Sequence, residues 1–380
     1  MSTETQKKEG VVTNEAKAGT EIKIIFKKTI FVFLLLFSSF VYAHNDDSYY
    51  HDSGNLPNQQ NWMSRLDNTK SIYSISMPGT HDSGARYGGD AVQTQSLTIR
   101  QQLDAGIRFL DIRLRHIDNK FTIHHGAFYQ HMNFDDVLTQ VRDFLNANKS
   151  ETVLMRVKQE HTTENSTRSF ADTFSTYNDH YQDIIYTPKI PSTENPNEPT
   201  RKLLITLNEV RGKLIFLQNF DEPSSDTQVA RFGLNYKNFN IQDAFEVGSN
   251  WDLYGKWEKV KAQLNNANAN RESTSYQGYM NYLSASGGSF PYFIASGHSN
   301  PATGAARLAT VLTTPGFNSW YPDFPRVSCW WVFCTIAFEG TNTLTKDFIN
   351  NNKHLKYVGI VIADFPGAGL ITKTIDTNFR

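Results

Sequence analysis

The sequence predicts an α/β protein that folds as a single, irregular TIM-type β/α barrel. Apolar, β-prone segments alternate with segments of helical periodicity along most of the chain. This alternation indicates βα units around a parallel sheet, and roughly seven or eight such units suit a barrel. The sequence contains neither the glycine-rich dinucleotide fingerprint nor the phosphate-binding loop of open doubly wound sheets.

The predicted strands are residues 72–76, 108–114, 121–124, 153–157, 213–217, 278–283 and 357–362. The predicted helices are residues 97–105, 134–147, 251–264 and 301–312. The helix at 134–147 carries the strongest signal, because its apolar residues recur at helical spacing and Asn133 suits the cap position. Gly106 is a typical residue to end the helix at 97–105.

The first 43 residues are predicted to be a signal peptide. Lys27 and Lys28 precede a short apolar run at 29–42, and Ala43 suits a cleavage site, so we expect a secreted protein. The long stretch before the lysines leaves an uncleaved anchor as the alternative. Residues 44–60 are polar and rich in turn-forming residues, which predicts an N-terminal tail ahead of a barrel domain at 61–380.

Charge and cysteine content narrow the function classes. The formal net charge of −1 argues against nucleic acid as a partner, because binding to phosphate backbones requires a basic surface. Cys329 and Cys334 lie five positions apart, and export favours a disulfide between them, with two buried free thiols as the alternative. Two cysteines without matching histidines do not make a zinc site.

Polar residues follow or close several of the predicted strands, where barrel enzymes place their active sites. They are His81, Asp82, Asp111, Arg113, His125, Lys158, Asn219 and Asp364. Each one alone has an ordinary explanation as a turn, cap or ion-pair residue, but together they predict a site. Two histidines provide a general base and a general acid, and an arginine suits a phosphate oxygen. This combination favours phosphodiester cleavage by a hydroxyl group of the substrate itself.

Four motifs resemble the bacterial phosphatidylinositol-specific phospholipase C family, the X-domain barrel. They are PGTHDSG at 78–84, FLDIRLR at 109–115, IHHG at 123–126 and IVIADF at 360–365. The resemblance covers roughly residues 60–375 and implies a phospholipase C that acts on phosphatidylinositol, or its glycosylated form, at a membrane surface. It also implies a monomeric enzyme whose partner is this lipid and whose contact with the membrane is peripheral.

The resemblance also implies a role for each residue that matches a family motif. His81 would be the general base, oriented by Asp364, and His125 the general acid, assisted by Asp82. Arg113, held by Asp111, would stabilise the phosphate while inositol 1,2-cyclic phosphate forms. Related calcium-dependent enzymes have acidic ligands where this chain has Arg113, so no metal or other cofactor is expected.

At the headgroup side, Lys158 and Asp243 match positions that bind inositol hydroxyls. Asn219 stands where an arginine is frequent and Phe245 where a tyrosine is common, which leaves open whether the inositol is free or glycosylated. An aromatic insertion at 315–338 contains the CWWVFC segment. We expect a Cys329–Cys334 bridge to present Trp330, Trp331 and Phe333 to lipid; the alternative is that these aromatics pack on the barrel.

Two other functions fit part of the pattern. One is a metal-dependent hydrolase similar to the glycerophosphodiester phosphodiesterases, although Arg113 is a poor fit to a metal site. The other is an inactive X-domain that binds lipid or glycan, although both histidines and their partners are present. A cyclic phosphate product would support the phospholipase C. Turnover of the lipid distinguishes an enzyme from a module that only binds it.

Overall fold

The computed structural model describes residues 47–188, 204–220, 229–273, 276–317 and 319–380, which lie in one compact unit. The strands of this part are β1 (Met77–Thr80), β2 (Phe109–Ile117), β3 (Lys120–His125), β4 (Phe128–Asn133), β5 (Thr152–Gln159), β6 (Lys213–Asn219), β7 (Val229–Ala230), β8 (Gly233–Asn235), β9 (Asn240–Gln242), β10 (Glu246–Val247), β11 (Tyr279–Tyr282), β12 (Ser286–Gly287), β13 (Ala309–Thr313), β14 (Arg326–Trp330), β15 (Phe333–Ala337) and β16 (Ile360–Ala363). The α-helices are α1 (Ile99–Ala105), α2 (Phe134–Ala147), α3 (Phe170–His180), α4 (Leu207–Val210), α5 (Leu253–Ala269), α6 (Pro291–Ser296), α7 (Thr341–Asn351) and α8 (Ala368–Asp376).

The main sheet is a curled barrel of parallel strands in the order β8-β6-β5-β2-β1-β16-β11-β9. Within the described residues, no ladder joins β8 to β9, so the barrel is open on that side. The central strands are buried on both faces, as is usual where helices cover a parallel sheet. The predicted irregular TIM-type barrel is therefore confirmed.

The helix α2 has the predicted bounds. The Asp136 carboxylate accepts a hydrogen bond of 2.8 Å from the backbone N–H of Asn133, which closes the first turn. Its buried face consists of Phe134, Val137, Leu138, Val141, Phe144 and Leu145. Each of these side chains contributes up to about 1.5–3 kcal/mol by leaving water, which holds the helix against the sheet.

Two predicted elements were wrong. Residues 72–76 are mostly buried, but Ile72–Ser74 forms a 3-10 turn, and the first barrel strand follows at β1. The apolar residues at 72–76 are a consequence of burial and not of strand structure. The strand β1 was missed because it contains Pro78 and Gly79, which are unfavourable in strands. Gly79 is required there, because a Cβ at this position would lie 2.9 Å from Phe109 on β2. Residues 301–312 are not a helix: their end forms β13, where antiparallel pairing with β15 overrides helical propensity.

The beginning of the described chain packs on the barrel. The side chain of Tyr49 is buried, and the backbone N–H of Tyr50 donates to the carbonyl of Phe365 over 2.9 Å. This part of the segment predicted as a polar tail, 44–60, is therefore fixed to the domain. The segment is polar in composition, but the buried ring of Tyr49 provides the apolar contact area. The predicted signal peptide at 1–43 lies outside the described residues.

Among the described residues, none of the helices has the length and apolar composition needed to cross a membrane.

We expect Glu151→Ala to lower the free energy of unfolding by about 3–5 kcal/mol, because it leaves a buried arginine without its charge partner. Arg108 and Glu151 are both fully buried, and Arg108 Nη2 lies 2.8 Å from Glu151 Oε2. Urea unfolding measures the change. The matched control is Glu164→Ala, which removes the partner of Arg115 at the surface and should cost at most about 1 kcal/mol. Equal effects of the two variants would contradict the prediction.

Candidate active site

Six of the residues predicted from the sequence lie together at the end of the barrel where the parallel strands have their carboxyl ends. They are His81, Asp82, Asp111, Arg113, His125 and Asp364. His81 directly follows β1 and Asp364 directly follows β16, and the parallel pairing of these strands places Thr80 beside Ala363. Residues 283 positions apart in the chain are thus neighbours at one edge of the sheet.

His81 lies between a carboxylate and a guanidinium. Its Nδ1 is 2.8 Å from Asp364 Oδ1, and its Nε2 is 2.7 Å from Arg113 Nη2. Because a guanidinium can only donate, Nε2 accepts, and the proton of the neutral ring is on Nδ1. Burial works against the charged ring, but the charge and hydrogen bond of Asp364 raise the pKa of His81 above its ordinary value. His81 therefore presents an unprotonated nitrogen, Nε2, whose basicity is increased by the carboxylate on the other side of the ring.

Buried hydrogen bonds also fix the backbone at His81. The side-chain amide of Gln95 donates to the carbonyl of His81 over 2.9 Å and to that of Ala363 over 3.0 Å. Gln95 therefore joins the ends of β1 and β16, and it prevents the two strands from separating at the point where His81 meets Asp364.

His125 reaches the site by an unexpected route. The prediction treated its strand as a barrel strand, but β3 runs antiparallel to β2 and returns the chain toward the site. Asp118 and Asn119, both with positive φ, make the two-residue turn between them. His125 Nδ1 lies 2.7 Å from the carbonyl oxygen of Val92 and 3.4 Å from Asp82 Oδ2. Since a carbonyl oxygen only accepts, Nδ1 carries a proton, and Nε2 is the nitrogen left for a ligand.

The Arg113 guanidinium lies among three carboxylates. Its nitrogens are 3.5 Å from Asp82 Oδ2, 3.6 Å from Asp111 Oδ2 and 3.8 Å from Glu160 Oε1. Burial works against the charge of Arg113, but these carboxylates outweigh burial and raise its pKa. The group is a permanent cation 2.7 Å from the His81 ring, in a position suited to an anionic ligand.

The two nearest carboxylates behave differently. Burial raises the pKa of Asp82 above its ordinary value, against the charges of Arg113 and His125. Burial also favours the neutral form of Asp111, but the charges of Arg156 and Arg113 hold the pKa of Asp111 well below its usual range. Asp111 is therefore a fixed anion that anchors the arginines, whereas Asp82 holds a proton more readily than Asp111 does.

Lys158 and Asn219 form the adjacent wall of the site. The strand register pairs Arg113 with Lys158 and Lys158 with Asn219, so all three lie at one level of the barrel. Lys158 Nζ is 3.3 Å from Glu160 Oε2. A basic, amide-bearing wall at this level suits the hydroxyl groups of a polar ring.

Asp243 and Phe245 follow β9, at the same end of the barrel. Both are exposed, and the Phe245 side chain has 54% of its surface open to solvent. An open phenyl face at this position is available for contact with a ligand ring.

Three residues of the site were not recognised from the sequence: Arg156, Glu160 and Tyr282. Arg156 and Glu160 alternate with Lys158 along β5 and its end, so period-two spacing from a recognised residue was an available signal. Tyr282 closes β11, and its ring meets that of His81 edge-on at a centroid distance of 6.1 Å. No motif in the sequence marks this contact.

The aromatic insertion forms a disulfide-bridged hairpin. β14 and β15 pair antiparallel, and Cys329 and Cys334 are bonded to each other at its end. Trp330, Trp331, Val332 and Phe333 lie between them, with exposed fractions of 64%, 85%, 52% and 46%. These side chains do not pack on the barrel, unlike Phe324 and Phe338 of the same segment, which are buried.

Across the described ranges, no cluster of three or more histidine, cysteine, aspartate or glutamate side chains has an arrangement that would hold a metal ion.

Comparison with known proteins gives one consistent family. The model for the phosphatidylinositol-specific phospholipase C X domain matches residues 85–219. A 1-phosphatidylinositol phosphodiesterase of Staphylococcus aureus is 32% identical over 330 residues, which cover 77% of this chain and 95% of that protein. The protein of the same name from Listeria monocytogenes is 35% identical over 195 residues, 48% of this chain and 57% of the relative.

Solved structures agree with this result. The phosphatidylinositol-specific phospholipase C of Listeria monocytogenes matches with a TM-score of 0.57 at 25% identity, over 84% of this chain and 98% of that one. A Staphylococcus aureus phosphatidylinositol-specific phospholipase C, from work on modulation of its membrane binding, matches with a TM-score of 0.55 at 24% identity, over 84% and 97% of the two chains. At 24% identity, the second match shows only that the two proteins share a fold.

Proposed function

Because the chain belongs to the bacterial phosphatidylinositol-specific phospholipase C family, we propose that it cleaves phosphatidylinositol to diacylglycerol and inositol 1,2-cyclic phosphate. The observation that carries the proposal is the position of His81 between Asp364 and Arg113. This arrangement combines a base, the unprotonated Nε2 of His81, with a permanent cation, Arg113, that can bind the phosphate. His125 provides the second proton-transfer group.

In the proposed reaction, the 2-hydroxyl of inositol donates its proton to Nε2 of His81, and its oxygen forms the new bond to phosphorus. The bond from phosphorus to the diacylglycerol oxygen breaks, and that oxygen takes a proton from Nε2 of His125, which enters this step with a proton on both ring nitrogens and keeps the one on Nδ1. Arg113 exchanges its contact with His81 for a phosphate oxygen and stabilises the charge that develops there. The nucleophile belongs to the substrate, so the attack is intramolecular.

The proposal needs no metal ion. A cation would have to lie near Asp82, Asp111 and Glu160, where the Arg113 guanidinium already provides the positive charge. A second cation at this place would be repelled, and the guanidinium fork matches phosphate oxygens directly.

Diacylglycerol release from phosphatidylinositol vesicles, with and without EDTA, tests this function. We expect turnover that is unchanged by the chelator. Loss of activity in EDTA, restored by calcium, would contradict the assignment of Arg113 and favour a metal-dependent hydrolase. Binding of the vesicles without turnover would favour an inactive lipid-binding module.

The proposed membrane contact is the hairpin tip, which consists of Trp330, Trp331, Val332 and Phe333. The insertion lies between α6 and α7, within the long connection that follows β11, and the connections that follow barrel strands are at the active-site end of a barrel. Tryptophan is favoured at the membrane interface, because its ring is apolar and its N–H is polar. We include in the proposal that the enzyme is a monomer with peripheral membrane contact, and that its substrate is free or glycosylated phosphatidylinositol.

We expect the double variant Trp330→Ala, Trp331→Ala to bind phosphatidylinositol vesicles at least about tenfold more weakly, because two exposed rings no longer enter the interface. Vesicle sedimentation measures the affinity, and turnover of a soluble substrate should be unchanged. Phe379→Ala is the control, since Phe379 is 40% exposed and its neighbour Asn378 bonds to Ser76 at the opposite end of the barrel. Unchanged vesicle affinity of the double variant would contradict the hairpin as the contact.

Export is part of the proposal as well. The apolar run at 29–42 and the small residue Ala43 support secretion with cleavage after Ala43. N-terminal sequencing of the exported protein is expected to start at His44. A start at Met1 would support the uncleaved anchor.

A further inference from the structure

Arg156 is a long, buried side chain that connects two parts of the site. On β5 it lies two positions before Lys158, so both point to the same side of the strand. The register places Arg156 beside Asp111 and Leu217, one level below Lys158 and Asn219. The side chain nevertheless reaches the upper level, where its guanidinium meets Asn219.

The contacts of Arg156 divide into two groups. Nη1 lies 3.3 Å from Asp111 Oδ1 and 3.2 Å from the hydroxyl of Tyr282. Nε and Nη2 lie 3.2 Å and 2.9 Å from the side chain of Asn219, whose Oδ1 accepts both bonds in the amide orientation that satisfies the two residues. The guanidinium is also stacked 4.3 Å from the centre of the Tyr236 ring. One rigid group thus contacts both the phosphate side and the headgroup side.

The charge of Arg156 is permanent. Burial works against it, but the Asp111 carboxylate outweighs burial and raises the pKa of Arg156 above its usual range. The charge of Asp243, across the headgroup side, acts in the same direction. A cation therefore lies 2.9 Å from the side chain at position 219, where the sequence itself offers only a neutral amide.

The amide orientation has a chemical consequence. A guanidinium only donates, so it selects the oxygen end of the Asn219 amide and leaves the two N–H donors of Nδ2 for another acceptor. The hydroxyl oxygens of a polyol ring are such acceptors. Without Arg156, either end of the amide could face the site, and part of the binding energy would be lost in ordering it.

We infer that Arg156 is a specificity-determining positioning residue, which orients Asn219 so that its amide N–H groups donate to the hydroxyl groups of the inositol ring. This inference rests on the proposed function. It assigns Arg156 to headgroup recognition in addition to its support of Asp111, and it makes Asn219 a donor to the headgroup.

Two variants test the inference, with free myo-inositol as a competitive inhibitor and phosphatidylinositol in mixed micelles as substrate. Asn219→Asp keeps an oxygen for Arg156 but has no N–H group to donate. We expect about a tenfold increase in the inhibition constant of myo-inositol and in KM, with kcat retained. Arg156→Met should increase the same inhibition constant by a similar factor and also lower kcat, because Asp111 loses a partner. Arg156→Lys should restore only part of the kcat.

Arg142→Met is the matched control. Arg142 also pairs with an aspartate, Asp183, at 2.7 Å, and it stacks 4.2 Å from the Tyr181 ring, but it belongs to α2. It should leave both constants unchanged. An unchanged myo-inositol constant in Asn219→Asp would overturn the inference, even if Arg156→Met does not fold. A decrease in kcat alone in Arg156→Met would reduce Arg156 to a support of Asp111. Failure of the wild-type enzyme to turn over phosphatidylinositol would instead overturn the proposed function.

Discussion

The His81→Ala variant is expected to lose about 10²–10⁴-fold in kcat, the range typical of one general base. His81 offers Nε2 as the proton acceptor, and its Nδ1 lies 2.8 Å from Asp364 Oδ1. The substitution therefore removes the base and leaves Asp364 without its hydrogen-bond partner. Initial rates of diacylglycerol release measure the loss. The variant should keep its melting temperature within a few degrees, because the ring is partly open to solvent.

Two further variants test how His81 depends on its orienting partner Asp364 and how it acts together with His125. Asp364→Asn keeps the ring but removes the charge that raises the pKa of His81. A general base acts in its neutral form, so activity rises with pH through this pKa, and the variant should show that rise at lower pH together with a lower plateau. The double variant His81→Ala, His125→Ala should lose less than the product of the single losses, since the base and the acid act together in one reaction. His81→Ala activity above a tenth of wild type would contradict the assignment of the base.

Arg113→Met is expected to lower kcat by about 10²–10³-fold or more, as removal of a donor to developing charge does elsewhere. The substitution also leaves Asp82, Asp111 and Glu160 without the cation that lies within 3.8 Å of all of them. Steady-state kinetics on phosphatidylinositol measure the loss.

Arg113→Lys distinguishes geometry from charge. A lysine retains the positive charge, but its ammonium group is a single point and cannot contact His81, the phosphate and the carboxylates at once. We therefore expect its activity to lie between those of the Met variant and the wild type. Full activity of the Lys variant would show that charge alone suffices, and restoration of the Met variant by calcium would show that a metal site exists behind the arginine.

Most of the barrel and much of the site were predictable from the sequence, for physical reasons. Parallel strands are buried on both faces, so they are continuous apolar runs, and a polar residue at the end of such a run stands out. Asp111, Arg113 and Lys158 were recognised in this way, and β5 and β6 were found within two residues of their bounds. The amphipathic stripe of α2 was equally direct.

Other features depend on contacts that no local pattern records. The first barrel strand contains Pro78 and Gly79, and its register with β16 rather than its composition makes it a strand. His125 belongs to a hairpin whose Asp118-Asn119 turn was a usable signal for antiparallel return. Arg156 was overlooked because an arginine inside a strand is recognised only when its partners, Asp111 and Asn219, are placed in space.

The product of the reaction tests the central claim most directly. Phosphorus NMR of wild-type enzyme with phosphatidylinositol distinguishes a five-membered cyclic phosphodiester from an acyclic monophosphate. Attack by the inositol 2-hydroxyl, with His81 as base and His125 as acid, predicts inositol 1,2-cyclic phosphate as the first product. An acyclic inositol phosphate, formed from the start without a cyclic precursor, would contradict intramolecular attack and with it the proposed roles of the two histidines.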